Sequence, residues 1–154
     1  MKRIFKLASI FCSVWGLAMT AVAHEDPVGQ PLDPGCSAIG SLDLQAFCVA
    51  AKSKRIKGCE QIKDGNWHGV CIGSLSKTPD SCEQLTDMRF LNLCYALQQK
   101  SPIACFEIED TNLEFLCYSH VQNTRRFCTD IRDADLKQLC EGLYDPKSKP
   151  SRPQ

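Results

Sequence analysis

The sequence predicts an all-α fold of five tandem 23-residue helical hairpins, each stapled by a disulfide and stacked as a small α-solenoid. Two observations support this prediction. Cysteines recur at separations that alternate strictly between 12 and 11 residues, which sets the period and repeats it five times. Within each period the apolar residues follow the i, i+3, i+4, i+7 spacing of an amphipathic helix. The ten cysteines of the repeats are Cys36, Cys48, Cys59, Cys71, Cys82, Cys94, Cys105, Cys117, Cys128 and Cys140.

Residues 1–23 have the three parts of a secretory signal peptide. A basic start is followed by an uncharged apolar run and by the small-residue ending Ala21-Val22-Ala23. We therefore expect cleavage after Ala23, a periplasmic or secreted protein, and no membrane association of the mature chain. The alternative is an uncleaved anchor, because the 17 residues from Leu7 to Ala23 carry no charge and lie at the lower edge of a membrane span.

Export determines how the cysteines are interpreted. Cys12 leaves with the signal peptide, and the ten that remain are an even number. In an oxidising compartment this pattern indicates a disulfide framework, whereas in the cytosol it would indicate metal binding. The mature chain keeps 15 basic and 18 acidic residues, a formal charge of −3, so we expect no nucleic-acid partner.

A longer helix of about eleven residues is predicted in every unit, starting after a recurring Asp or Ser. The side-chain oxygen of this residue accepts hydrogen bonds from the free N–H groups of the first turn. Apolar residues three and six positions later form the buried stripe. The predicted N-caps are Ser41, Asp64, Asp87, Asp110 and Asp133, and the stripe comprises Leu44, Phe47, Trp67, Val70, Phe90, Leu93, Leu113, Leu116, Leu136 and Leu139.

A shorter helix is predicted to carry the first cysteine of each unit and the apolar residue that follows it three positions later. Thr78-Pro79 and Ser101-Pro102 support this prediction, because proline is favoured at the first position of a helix. A β-strand alternative fits poorly, since apolar and polar residues do not alternate along these runs.

Two disulfide connectivities remain open at this point. Pairing within units, from Cys36–Cys48 to Cys128–Cys140, uses every cysteine, whereas pairing between units leaves Cys36 and Cys140 unpaired. We prefer pairing within units, because it leaves no cysteine unpaired. Helix geometry favours pairing between units, because at about 1.5 Å rise per residue the two cysteines of one unit stand at unequal heights from the turn.

The repeats span residues 36–144 and are flanked by two aperiodic segments. Residues 24–35 form a leader rich in Pro and Gly, and residues 145–154 form a basic, Pro-rich tail; both are predicted to be disordered. In architecture only, the chain resembles exported cysteine-rich helical-repeat proteins of the Sel1-like kind, in which a disulfide closes each helical hairpin. Their repeats are longer and space the cysteines differently, so no functional residue is carried over.

No catalytic or metal-binding motif is found, and we expect a non-enzymatic protein without a cofactor. His68 and His120 stand near aromatic residues, which we interpret as core packing with a solvent-facing histidine beside it. Large apolar residues lie on the side of the long helices opposite the buried stripe, and such a face is typical of a protein-binding surface. The alternative for this face is packing between units. The predicted partner-binding residues are Ile72, Leu91, Tyr95, Phe115 and Tyr118.

The expected function is therefore binding of another protein, whose identity the sequence does not give. The specific hypothesis is a periplasmic inhibitor or immunity protein directed against a secreted enzyme or toxin. The alternatives are a structural component of the cell envelope and a thiol-based metal or redox protein.

Processing can be tested by intact mass spectrometry of the exported protein. The mass is expected to correspond to a chain that starts at His24 and lacks ten hydrogens, because the ten remaining cysteines form five disulfides. A mass that includes the first 23 residues, or several thiols that react with an alkylating agent before reduction, would contradict this prediction.

Overall fold

The computed structural model describes residues 34–76 and 78–147. The predictions for the signal peptide, for the leader up to residue 33 and for the tail from residue 148 lie outside the described residues. Over the described ranges the regular secondary structure is entirely helical, which confirms the predicted fold class. No helix among these residues is long and apolar enough to cross a membrane.

Each unit contains one long helix, and within the described residues we label the five in chain order. All begin directly after the predicted cap residue, whose side chain accepts a backbone N–H; Asp64, for example, accepts from Trp67 N at 2.9 Å. The N-cap predictions are thus confirmed. The long helices are α1 (Leu42–Ser53), α2 (Gly65–Leu75), α3 (Met88–Gln99), α4 (Thr111–Gln122) and α5 (Ala134–Leu143).

Three of the long helices end at a residue in the left-handed conformation: Lys54 with φ 55°, Lys100 with φ 53° and Asn123 with φ 47°. This conformation turns the chain sharply out of the helix and towards the next unit. It costs a non-glycine residue about 1–2 kcal/mol, which the packing of the following unit must offset.

The segment with the first cysteine is a short helix in units 2 to 5: Ile56–Gln61, Pro79–Cys82, Pro102–Cys105 and Arg126–Asp130. In unit 1 it differs from the prediction, because Cys36 lies in a turn at residues 34–38. Thr78 and Ser101 occupy the predicted cap positions, although neither side chain makes a capping hydrogen bond.

All five disulfides among the described residues form within units, and their Cα atoms are 5.6–5.8 Å apart. The unequal heights expected for the two cysteines of one unit are not observed. The reason is that the short segments make i to i+3 hydrogen bonds, such as that from Ile62 N to the carbonyl oxygen of Cys59. A 3₁₀ segment rises about 2.0 Å per residue, against about 1.5 Å in an α-helix. The shorter arm of the hairpin therefore reaches the same height as the longer one.

The stack of units closes into a ring. Each long helix packs against its neighbours in sequence, and α5 packs against α1, while no contact crosses from one helix to a non-neighbouring one within the described residues. An open solenoid has two free ends, so closure gives the described part of this fold one more inter-unit interface than a stack of the same length.

The closing interface uses the same hydrogen bond as interior ones. The side chain of Asp43 in α1 accepts a hydrogen bond from Lys63 N of unit 2, at 2.8 Å. The side chain of Asn112 in α4 accepts one from Arg132 N of unit 5, also at 2.8 Å. At the equivalent position in α5, the side chain of Asp135 accepts a hydrogen bond from Gly40 N of unit 1 at 2.8 Å. Unit 5 is thus joined to unit 1 as unit 1 is joined to unit 2.

Small residues lie two positions after the second cysteine of every unit and face the following unit. A Cβ atom on Gly73 would overlap Sγ of Cys94, and Ser119 Oγ lies 3.6 Å from Sγ of Cys128. A Cβ on Gly142 would overlap the carbonyl oxygen of Gly35 in unit 1. All five residues are buried: Ala50, Gly73, Ala96, Ser119 and Gly142.

The core is a single apolar cluster formed by the disulfides, the predicted stripe and the residue three positions after each first cysteine. Trp67 links units 1, 2 and 3, because its ring contacts Phe47 and Phe90 edge-on at 5.4 and 5.3 Å. This arrangement supports the interpretation of Trp67 as a packing residue.

Ring closure predicts that Gly142→Ala destabilises the protein by about 1–3 kcal/mol through overpacking against unit 1. Gly65→Ala is the matched control, because no atom lies within 4 Å of the position that an added Cβ would occupy and alanine favours the helix. Chemical denaturation of both variants measures the difference. Unchanged stability of Gly142→Ala, alongside a loss in the interior variant Gly73→Ala, would mean that the ends do not pack together.

Candidate binding surface

The five residues predicted to bind a partner lie on α2, α3 and α4, and all are half-buried. Each packs with one side against the core. Ile72, Tyr95 and Tyr118 occupy the same position in three successive units, directly after the second cysteine. Leu91 and Phe115 lie elsewhere on α3 and α4. The position shared by the first three lies where the long helix meets the short helix of the next unit.

A groove of about 390 Å³ lies between α3 and the short helix of unit 4, and we call it groove 3/4. The Asn92 side chain donates from Nδ2 to the carbonyl oxygen of Glu107 at 2.9 Å, which joins the two walls. The volume of groove 3/4 lies within the range of pockets that bind small molecules. The lining includes Asn92, Tyr95 and Gln99 from α3, and Ile103, Ala104 and Glu107 from unit 4.

An equivalent groove of about 440 Å³ lies one unit earlier, between α2 and the short helix of unit 3. We call it groove 2/3. Ile72 occupies the position that Tyr95 has in groove 3/4, and Ser81 occupies that of Ala104. The groove is therefore a repeating feature of the fold, and its lining differs from unit to unit.

Between units 4 and 5 the equivalent groove, groove 4/5, is filled by Phe127. The ring of Phe127 stacks on Phe115 at 6.3 Å between centroids and lies 5.4 Å from the ring of Tyr118. Burial raises the pKa of the Tyr118 phenol, and the nearby carboxylate of Glu114 adds to the rise. Phe115 and Tyr118 are thus both packed against Phe127 of the next unit, whereas Ile72 and Tyr95 line open grooves.

Sequence reasoning did not identify three aromatic or aliphatic residues of this surface. Phe127 stands where the other units have Gly35, Gly58, Ser81 and Ala104, and it is the large residue in a column of small ones. Ile103, which lines groove 3/4, is 79% exposed, and Phe106, directly before the lining residue Glu107, is 78% exposed. Unit 3 has Asp80 and Glu83 at these two positions. Comparing the units at each position, rather than seeking what they share, would have revealed all three.

The two histidines in the described residues have different environments. His68 is half-buried and lines groove 2/3, whereas His120 near the end of α4 is exposed. Among the described residues no group of three or more His, Cys, Asp or Glu is arranged to hold a metal ion.

The ten cysteines offer no thiol chemistry in this state, because all of them are joined in disulfides. The thiolate is the form of cysteine that binds soft metals and attacks disulfides. A metal or redox role would therefore require prior reduction of buried bonds.

No known protein family, curated protein or solved structure matches the chain.

Tyr118→Ala and Tyr95→Ala are expected to differ in stability although the residues are equivalent in sequence. Removing Tyr118 leaves a gap beneath Phe127, and we expect a loss of about 2 kcal/mol, below the roughly 3–5 kcal/mol for a fully buried aromatic. Tyr95 lines an open groove, so a loss below about 1 kcal/mol is expected. Thermal or chemical melts measure both.

A double-mutant cycle provides the control for this comparison. In a Phe127→Ala background the cost of Tyr118→Ala should fall, because the two rings contact each other, while that of Tyr95→Ala should not change. If both substitutions caused equal and large losses of stability, Tyr95 would be a core packing residue and not a groove residue.

Proposed function

We propose that this is an exported, non-enzymatic repeat protein that binds another protein at grooves 2/3 and 3/4. The observation that carries the proposal is that the same groove recurs between units and is filled by the chain's own Phe127 in one place, while two adjacent grooves stay open. An open groove lined by Tyr95 offers a partner an aromatic contact of the kind that dominates protein interfaces.

The exposed residues beside groove 3/4 support the same surface. Ile103 and Phe106 lie on or directly after the short helix of unit 4 and are among the most exposed large apolar residues of the described chain. Exposed apolar residues mark interaction sites on proteins where they form a contiguous patch. Ile103 and Tyr95 give the lining of groove 3/4 its large apolar residues, and Phe106 precedes the lining residue Glu107 in the chain.

The compartment and the rigidity of the scaffold fit this role. Five disulfides indicate an oxidising environment, periplasmic or extracellular. A closed ring of disulfide-stapled units orders little on binding, so less of the interaction energy is lost to conformational entropy. An inhibitor or immunity protein against a secreted enzyme or toxin needs these properties, and this is the specific function that we favour.

Partner capture from the native envelope tests the proposal with Tyr95→Ala as the critical variant. Wild-type protein should retain a stoichiometric soluble partner, and Tyr95→Ala should retain it at least about tenfold more weakly, as expected for a hot-spot aromatic. Met88→Ala is the control, because Met88 is a 62% exposed apolar residue of the same helix outside the grooves.

Three results would contradict the proposal. Equal retention by Tyr95→Ala and wild type would remove the groove from the interface. Recovery of the protein only in a cell-wall fraction would favour an envelope structural component. Stoichiometric copper bound to reduced protein would favour thiol-based metal binding.

A further inference from the structure

Phe127 in groove 4/5 indicates which chemical group these grooves accept. Its ring enters from the short helix of unit 5 and packs on Phe115 and Tyr118. Two arginines precede it, and the guanidinium of Arg126 lies 5.8 Å from the centre of the Phe127 ring. The occupant of the filled groove is therefore an aromatic ring carried by a basic segment.

The charge around the open grooves complements a segment of this kind. Two connecting segments each contain one basic and three acidic residues. They are residues 76–87, between α2 and α3, and residues 100–110, between α3 and α4. The segment that fills groove 4/5, residues 123–133, contains three basic and two acidic residues. Glu107 lines groove 3/4 and Asp80 lines groove 2/3, and neither described lining includes Lys or Arg.

The chain does not contain a second segment of this type next to its repeats. Residues 24–33 and 145–154 contain no Phe, Tyr or Trp, so neither flank supplies an aromatic ring. The basic aromatic segment around Phe127 is already packed in its own groove. Residues 2–5 carry Phe5 after Lys2 and Arg3, but they belong to the segment expected to be removed as a signal peptide. We therefore take the occupant of the open grooves to be another protein.

We propose that the partner inserts an aromatic side chain preceded by basic residues into groove 3/4, as Phe127 is inserted into groove 4/5. This inference rests on the proposed protein-binding function and names the chemistry of its ligand. Tyr95 takes the place of Tyr118 beside the ring, and Ala104 leaves free the space that Phe127 fills one unit later. Glu107 and the acidic connecting segment attract the basic residues.

A peptide copied from the chain itself is the probe for this proposal. It comprises residues 123–129 with Cys128→Ser and a fluorescent label, and its binding to the oxidised mature protein is followed by fluorescence anisotropy. The peptide with Phe127→Ala should bind about tenfold more weakly or worse, since the ring is the anchor. The peptide with Arg125→Glu and Arg126→Glu should also bind more weakly, and added salt should weaken the original peptide.

Protein variants that fill the grooves locate the site. Ala104→Phe places an aromatic ring where unit 5 has Phe127, and it should fold normally and lose peptide binding by about tenfold or more. Ser81→Phe is the matched control, because it fills groove 2/3 and leaves groove 3/4 open. If Ala104→Phe does not fold, Tyr95→Ala provides the same comparison through loss of the wall of the groove.

Equal binding of the original and Phe127→Ala peptides, or full binding by both Ala104→Phe and Tyr95→Ala, would overturn the inference. Competition between the peptide and the captured partner distinguishes failure of this inference from failure of the proposed function. A partner that depends on Tyr95 and is not displaced by saturating peptide refutes the aromatic anchor and leaves protein binding in place. If neither partner capture nor peptide binding depends on Tyr95, both proposals are wrong.

Discussion

The disulfide within each unit is the interaction on which the rest of the fold depends. It fixes a short segment to a long helix of 10–12 residues, a pair that buries too little apolar surface to be stable alone. Closing each 12-residue separation contributes about 3 kcal/mol by loop entropy. The buried sulfur atoms also form the wall against which the preceding unit packs. A residue such as Gly73 or Gly142 must be small there, and its smallness lets successive helices approach closely.

The parts of the fold that follow from local chemistry were predictable from the sequence. Asp64 caps α2 because a carboxylate satisfies the first-turn N–H groups in any context, and Leu93 is buried because the helical period places it beside Cys94. Closure of the ring was not predictable in this way, since it depends on a small rotation between units that no periodic pattern records. Its trace in the sequence is that unit 5 keeps Asp135 and Gly142 for a following unit, where an open end would carry a polar cap.

The outer surface was harder to predict for a related reason. A helical pattern assigns Tyr95 and Tyr118 the same environment, because both follow the second cysteine of a unit. Their actual environments are set by the residue that the next unit presents before its first cysteine, which is Ala104 for one and Phe127 for the other. The candidate site therefore depends on pairs of residues from different units, and a pattern read within one unit does not contain that information.

This dependence explains where a repeat ring is able to place a specific function. Positions that join unit to unit are constrained all round the ring, because a large residue in place of Gly73 or Ser119 would collide with a buried disulfide. Groove positions face solvent and are free to differ, and they do differ: Asp80, Ile103 and Arg126 occupy one equivalent position in three successive units. The proposed partner would have to distinguish the units, and this groove position, which differs in each of the three, supplies such a difference. Because the ring has no open end in its described part, these differences are held at fixed positions relative to one another, which is the condition for binding one partner in one orientation.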